Sequence, residues 1–256
     1  MPAPAQTDAE KILRFPENFL WGTATSPTQV EGHIQNEWTD FTAQDGGNCR
    51  IACDHYHRYP EDVQWMAKLG TNAYRFGIEW ARLQSAPFAP LNQDELARYC
   101  DLLDRLKAAN MTPMVVLHHF SNPPWINATG GWTNASAIAA FVDYVQKLVN
   151  VLKDRVYLWN TFNEPDTYAC VAYLLGGFPP QRHRDDLAAG GADRALHDRG
   201  RRIERRADQE AGGELAVVEF QHGIGIPSHR SSSPRTRRSI RRVFSIWHED
   251  RRLLYQ

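Results

Sequence analysis

The sequence predicts an α/β fold in which parallel strands close into a barrel, on three observations. Short apolar, aromatic-rich runs alternate with longer segments of helical periodicity across residues 19–163. Neither glycine-rich turn by which open nucleotide-binding sheets hold phosphate, GxGxxG or GxxxxGK followed by Ser or Thr, occurs. Polar and aromatic residues gather at the ends of the strand candidates, where barrels carry their chemistry.

Four strands are expected: Phe19–Thr25, Asn72–Glu79, Pro113–His119 and Val156–Asn163. A helix precedes the second, with Pro60-Glu61-Asp62 as its first turn, Val63, Met66, Ala67 and Leu69 as its apolar stripe, and Gly70 as its stop. Leu96, Tyr99, Leu102, Leu103 and Leu106 mark another, ended by Asn110. Ile138, Phe141, Val142, Val145, Leu148, Val149 and Leu152 mark a third. Strands separated by helices imply βαβ units and a parallel sheet. Trp21, Trp80, Trp132 and Trp159 are expected in the core.

At 256 residues and 42% hydrophobic content the chain can bury a sizeable core. A net charge of −1 gives no overall pull towards nucleic acid or an anionic membrane, and no apolar run suggests a membrane span. The first ten residues lack the basic start and apolar core of a signal peptide, so a cytoplasmic location is expected. Four cysteines (Cys49, Cys53, Cys100, Cys170) do not make a disulfide framework. Cys49, Cys53, His55 and His57 have ligand chemistry but no zinc-motif spacing, so no metal site and no cofactor is expected.

Composition breaks near residue 181. Residues 1–181 carry 13 Lys+Arg against 19 Asp+Glu, a charge of −6; residues 182–256 carry 16 against 11, a charge of +5. All 16 of the latter are Arg, and aromatics fall from 24 to 4.

The motif richest in chemistry is Asn163-Glu164-Pro165, closing the apolar run from Val156. Pro165 biases Glu164 towards extended backbone, and the carboxyl sits at a strand's C-terminal end beside an amide and several aromatics. Four further stretches accompany it in order: Phe19–Gly32 (FLWGTATSPTQVEG), Asp54–Asp62 (DHYHRYPED), Tyr74–Arg82 (YRFGIEWAR) and His118–Trp125 (HHFSNPPW). Together with Trp159–Pro165 (WNTFNEP), these resemble glycoside hydrolase family 1, the retaining β-glucosidase and β-galactosidase family.

The resemblance implies a (β/α)8 barrel, of which the first four βα units are recognisable, and a β-glycoside or oligosaccharide substrate. It implies that Glu164 is the general acid/base, a role that needs a raised pKa from an apolar pocket and an opposing carboxylate. By the same resemblance Asn163 holds the sugar 2-hydroxyl, Gln29, His119 and Trp125 contact the sugar or its surroundings, and Arg75 steadies the nucleophile's carboxylate. Read without the resemblance, Arg75 is equally a structural partner of Glu79 or Asp54, and Gln29 and His119 are ordinary polar strand-end residues.

The arithmetic of a whole barrel does not close. The four strands are spaced by roughly 45 residues, and four more units at that spacing exceed the remaining 93. A retaining glycosidase needs two carboxylates, and no Thr-Glu-Asn-Gly type segment follows residue 165. Glu219, ending the run Leu215–Phe220, is the one imitation of the nucleophile. The expected organisation is an extension over 1–14, a partial barrel over 15–181 and a non-homologous arginine-rich tail over 182–256, with a frame-shift as its origin. A basic appendage for RNA or an acidic partner is the competing reading, weakened by the 11 acids among its arginines. Half a barrel exposes strand edges and helix faces, which predicts self-association. The functional expectation is a β-glycosidase polypeptide lacking its nucleophile and inactive alone; the alternative is a catalytically dead sugar-binding or interaction protein.

Overall fold

The computed structural model describes residues 14–43, 46–156 and 158–183, together with the strand at 216–217. Its sheet has five parallel strands in the order β1 (Gly22–Ala24), β2 (Ala73–Gly77), β3 (Thr112–His118), β4 (Leu158–Phe162) and β5 (Ala216–Val217). Each strand pairs with the next one in sequence, with Arg75 opposite Met114 and Val116 opposite Asn160. An unbroken sequential order leaves no switch point of the kind that divides open doubly wound sheets, and is the order of a barrel arc. β5 is the one element described beyond residue 183, and it lies in register with β4 through Leu158 and Trp159.

The crossovers carry α1 (Pro27–Val30), α2 (His55–Lys68), α3 (Trp80–Leu83), α4 (Gln93–Ala108), α5 (Pro124–Ala128), α6 (Ala135–Leu152) and α7 (Pro165–Tyr173). α4 starts where Asn92 Oδ1 accepts from the amides of Asp94 and Glu95, and α6 where Asn134 accepts from Ser136. The apolar stripe of α4 is buried as its spacing requires. α6 buries nine side chains, adding Ala137, Ala140 and Tyr144 to the anticipated face, of which Ile138 is only partly buried. Among the described residues α6 is long and apolar enough, by length and composition, to cross a membrane; its buried face and its Asp143–Lys147 ion pair (2.7 Å) are those of a core helix.

Two helix details depart from expectation. α2 begins at His55, five residues before Pro60, because Tyr56 donates to Glu31 O and both His57 and Arg58 donate to Asp54 O. Pro60 is therefore an interior residue of the helix rather than its first turn. Of the anticipated stripe only Val63 and Met66 are buried; Ala67 and Leu69 are exposed, since Leu69 lies well round the helix from Val63. Gly70, with φ +79°, does end the helix. Trp80, Trp132 and Trp159 are core residues, whereas Trp21 is 51% exposed.

Alternation along β2 sends Tyr74 and Phe76 into the core, with the Tyr74 ring against His55, and turns Arg75 to the opposite face. At the end of that strand a side chain on Gly77 would collide with Pro27, 2.5 Å from its Cδ. This glycine lets α1 close over the strand end.

Candidate active site

Five of the six anticipated site residues lie in the segments that follow their strands, and Arg75 lies at the middle of its strand. Arg75 is on β2, His119 directly follows β3, and Asn163-Glu164 directly follow β4. Gln29 is on α1 after β1, and Trp125 on α5 after β3.

Asn163 is 6% exposed and is fixed from two sides. Its amide N–H donates to His118 O at 2.9 Å, extending the β3–β4 ladder past the last strand residue. Its side-chain Oδ1 accepts from Arg75 Nη2 at 2.7 Å. A guanidinium only donates, so the carbonyl end of the amide must face Arg75, and the Nδ2 donor points the other way. Arg75 is thus a link from β2 across β3 to the end of β4. Burial pulls its pKa down, and the Glu164 carboxylate pulls it back up, so acid and guanidinium share one electrostatic neighbourhood.

Glu164 is half-buried and caps α7 with its backbone, its carbonyl accepting from Tyr168 N at 3.0 Å. Its side chain makes no capping hydrogen bond. The backbone is left-handed (φ 43°, ψ 61°), not extended as the following proline suggested. The reason is the abrupt junction: Phe162 ends β4 and Pro165 begins α7, leaving two residues to reverse from strand to helix. With right-handed helix barred before proline, a left-handed residue makes the turn. A non-glycine residue there costs about 1–3 kcal/mol and is tolerated chiefly at functional positions.

His119 is partly buried; burial first, then the positive charge of Arg75, pushes its imidazole down to about 3. It is neutral at ordinary pH, and its buried Nδ1 has no hydrogen-bond partner among the described residues. Trp125 is half-buried, edge-on to Trp80 at 5.2 Å, and spends its indole N–H on Gln84 O at 3.2 Å. Gln29 is exposed, with its Oε1 bonded to Ser26 Oγ inside the same turn. The structure therefore draws Arg75, His119, Asn163 and Glu164 into one group, while Gln29 and Trp125 are held by local contacts. Glu219 lies outside the described residues.

A second layer of polar groups escaped the sequence reading. Asn122 donates from Nδ2 to Glu37 Oε1 (2.9 Å) and contacts Tyr168 Oη (2.7 Å), while its Oδ1 takes the Trp132 indole N–H (3.0 Å) and meets His118 Nε2 (3.1 Å). Glu79 accepts from Ser121 Oγ at 2.9 Å and from Asn36 Nδ2 at 3.3 Å. Burial pushes Glu37 up to about 8 and Glu79 up to about 7. Ser121 and Asn122 stand inside the His118–Trp125 motif and Glu79 inside the Tyr74–Arg82 motif. Their unusual polarity within apolar strand ends was the available signal.

The pattern recurs in known proteins. The model of glycosyl hydrolase family 1 matches residues 12–247, continuing past residue 181 into the arginine-rich segment. Beta-glucosidase A of Thermotoga maritima is 32% identical over 228 residues, covering 85% of this chain and 51% of that protein. Coniferin beta-glucosidase of Pinus contorta is 36% identical over 180 residues, covering 66% and 35%. The solved structure of the Thermotoga maritima beta-glucosidase in complex with deoxynojirimycin superposes with a TM-score of 0.73 at 30% identity, over 80% of this chain and 49% of that one. The chain thus spans about half the length of the Thermotoga protein. A sequential parallel sheet, an Asn-Glu-Pro junction after its fourth strand and a family match over residues 12–247 converge on one assignment: this chain belongs to glycosyl hydrolase family 1.

Proposed function

We propose that this chain carries the acid/base half of a retaining β-glycosidase site, acting on O-linked β-glucosides or related β-glycosides. The observation that supports it most is the Arg75–Asn163–Glu164 group, which links β2 across β3 to the end of β4. In this reading Glu164 protonates the glycosidic oxygen and then deprotonates the attacking water. Asn163 offers its Nδ2 to the sugar 2-hydroxyl, oriented by Arg75. Neutral His119 turns its unpartnered Nδ1 to the glycone, while Gln29 and the Trp125 ring complete the glycone side. The retaining route needs a second carboxylate about 5–5.5 Å from the first. Glu219 is the one imitation of the nucleophile motif after β4, but it comes early in chain order and its Gln221-His222-Gly223 context does not match. With no matching nucleophile segment among these residues, we expect glycoside binding without turnover.

A chromogenic aryl β-glucoside assay on the full chain, paired with calorimetric titration of deoxynojirimycin, tests this. We expect no release of the aryl group, and inhibitor binding that Asn163→Ala weakens by about tenfold, the loss of one good hydrogen bond. Turnover abolished by both Glu164→Gln and Glu219→Gln would overturn the incompleteness and identify the nucleophile. Turnover indifferent to Glu164→Gln would overturn the acid/base assignment itself.

A further inference from the structure

Away from the strand ends, His33 meets two side chains at the start of α2, Asp54 and His57. The Asp54 Oδ1 atom is approached from both sides, by His57 Nδ1 at 2.6 Å and by His33 Nε2 at 3.4 Å. One ligand atom from each residue lies within 4.8 Å of the other two, and the imidazole rings sit edge to face at 5.4 Å. The cysteines and His55 whose spacing drew attention are not in the cluster; His55 instead bonds Asp62 at 2.6 Å.

We propose that His33, Asp54 and His57 form a binding site for a borderline divalent cation of the zinc, cobalt or nickel class. Two imidazole nitrogens and one carboxylate oxygen are a recurrent donor set for such ions, with water completing the coordination. Ligand bonds of about 2.0–2.2 Å in tetrahedral geometry set ligand atoms about 3.3–3.5 Å apart. The His33–Asp54 edge, at 3.4 Å, already has that length. The His57–Asp54 edge is shorter because a proton is shared there; the ion takes the place of that proton, and the two atoms separate by under an ångström.

The backbone fixes the ligands while their side chains keep room to adjust. His33 N donates to Arg50 O at 2.7 Å and Cys53 N to Val30 O at 3.2 Å, clipping the two segments together, and Asp54 N donates to Ile51 O at 3.0 Å within the second. Gly32, beside His33, lies so close to Ile51 that an added Cβ would fall 2.0 Å from its carbonyl oxygen. The side chains of His33 and His57 are 50% and 60% exposed, so closing on an ion needs only χ rotations and leaves positions open to water. Arg58, whose charge acts on Asp54, is turned onto Glu61 at 2.9 Å. A bound ion would cross-link the segment after α1 to the start of α2, without touching the Arg75–Asn163–Glu164 group.

The test uses the full, chelator-treated chain at neutral pH, with Co2+ followed by its visible ligand-field bands and Zn2+ by competition. One saturable site per chain is expected, with a rise in melting temperature on Zn2+ addition. His33→Gln and His57→Gln should each weaken binding by about 10–100-fold, and Cys53→Ser should not change it. In the unmodified chain, Zn2+ should protect His33 and His57 from diethyl pyrocarbonate, read by mass spectrometry, which needs no variant to fold. Absence of a saturable site overturns the proposal, as does binding undiminished in the His33→Gln/His57→Gln pair or protection confined to other histidines.

Discussion

Arg75 Nη2 donates to Asn163 Oδ1 across 2.7 Å, joining residues 88 apart in sequence and two strands apart in the sheet. The bond decides which end of the Asn163 amide is presented outward, and the same guanidinium charge helps keep His119 neutral. Arg75→Met removes both effects. The His119 pKa should then rise from about 3 but stay below 6.5, because burial is the larger cause of its depression. Deoxynojirimycin affinity should fall about tenfold, the scale of one charged hydrogen bond. NMR titration of the imidazole and calorimetry check the two arms; a His119 pKa that does not move would remove Arg75 from its electrostatics.

Glu164 pays for its position in backbone strain, with φ at 43° and no side-chain capping bond in return. Glu164→Gly should therefore stabilise the chain by about 1 kcal/mol, since glycine enters the left-handed region without the Cβ clash. Urea denaturation measures this directly. A destabilised glycine variant would mean that the attraction between the Glu164 carboxylate and Arg75 outweighs the strain.

Much of this was legible in the sequence, and the failures share a physical cause. Apolar runs located β2, β3 and β4, whose later residues are buried, and helical periodicity located α4 and α6, because each of those helices buries one face. Periodicity missed α1, α3 and α5, which span only four or five residues and are too short to show a period. Pro60 misled because α2 starts earlier, at the Asp54 carbonyl, with a bond from Tyr56 N to the distant Glu31 O that no local propensity encodes. The left-handed Glu164 was hidden because proline's bias against the helical region leaves two exits, and only the next element chooses between them. The motifs indicated which residues to look for: Arg75, His119, Asn163 and Glu164 do lie together. The Arg75–Asn163 bond and the Glu37 cluster, which join residues far apart in the chain, were not legible.

Glu31 (3% exposed) is the anion at the centre of a buried cluster: it accepts from Arg82 Nε at 2.8 Å, Arg98 Nη2 at 3.1 Å and Tyr99 Oη at 2.9 Å. These contacts tie the end of α1 to α3 and α4. Glu95 is the second acid, so two carboxylates balance two guanidinium groups. Glu31→Gln leaves the buried cations in excess and should cost about 3–5 kcal/mol in urea denaturation, the usual penalty for breaking one partner of a buried pair. A loss below about 1 kcal/mol, the range of exposed pairs, would show that water reaches the cluster.

Stability should be flat between about pH 4.5 and 6.5 and fall on either side, through four buried groups whose signs oppose. Burial raises Glu37 to about 8 and Glu79 to about 7 from 4.5, so the folded state holds protons that the unfolded chain releases. Their contribution is complete below pH 4.5 and is lost as pH rises through 7 and 8. Burial lowers His118 to about 4 and His119 to about 3 from 6.5, so here the unfolded chain binds the extra protons. Their contribution is complete above pH 6.5 and is lost as pH falls through 4 and 3. Between pH 4.5 and 6.5 two groups of each sign are active and cancel. From pH 6.5 to 8 only the two carboxyls act, and the loss should be about 2 kcal/mol. Glu37→Gln should shrink that alkaline limb and leave the acid limb intact. The amide can keep the Asn122 and Tyr168 contacts, and its own N–H can serve Asn127 Oδ1, an otherwise unpartnered buried acceptor, once the Asn127 amide turns. Urea midpoints measured from pH 3 to 9 on both proteins would show it, and an alkaline limb unchanged by Glu37→Gln would place the responsible proton elsewhere.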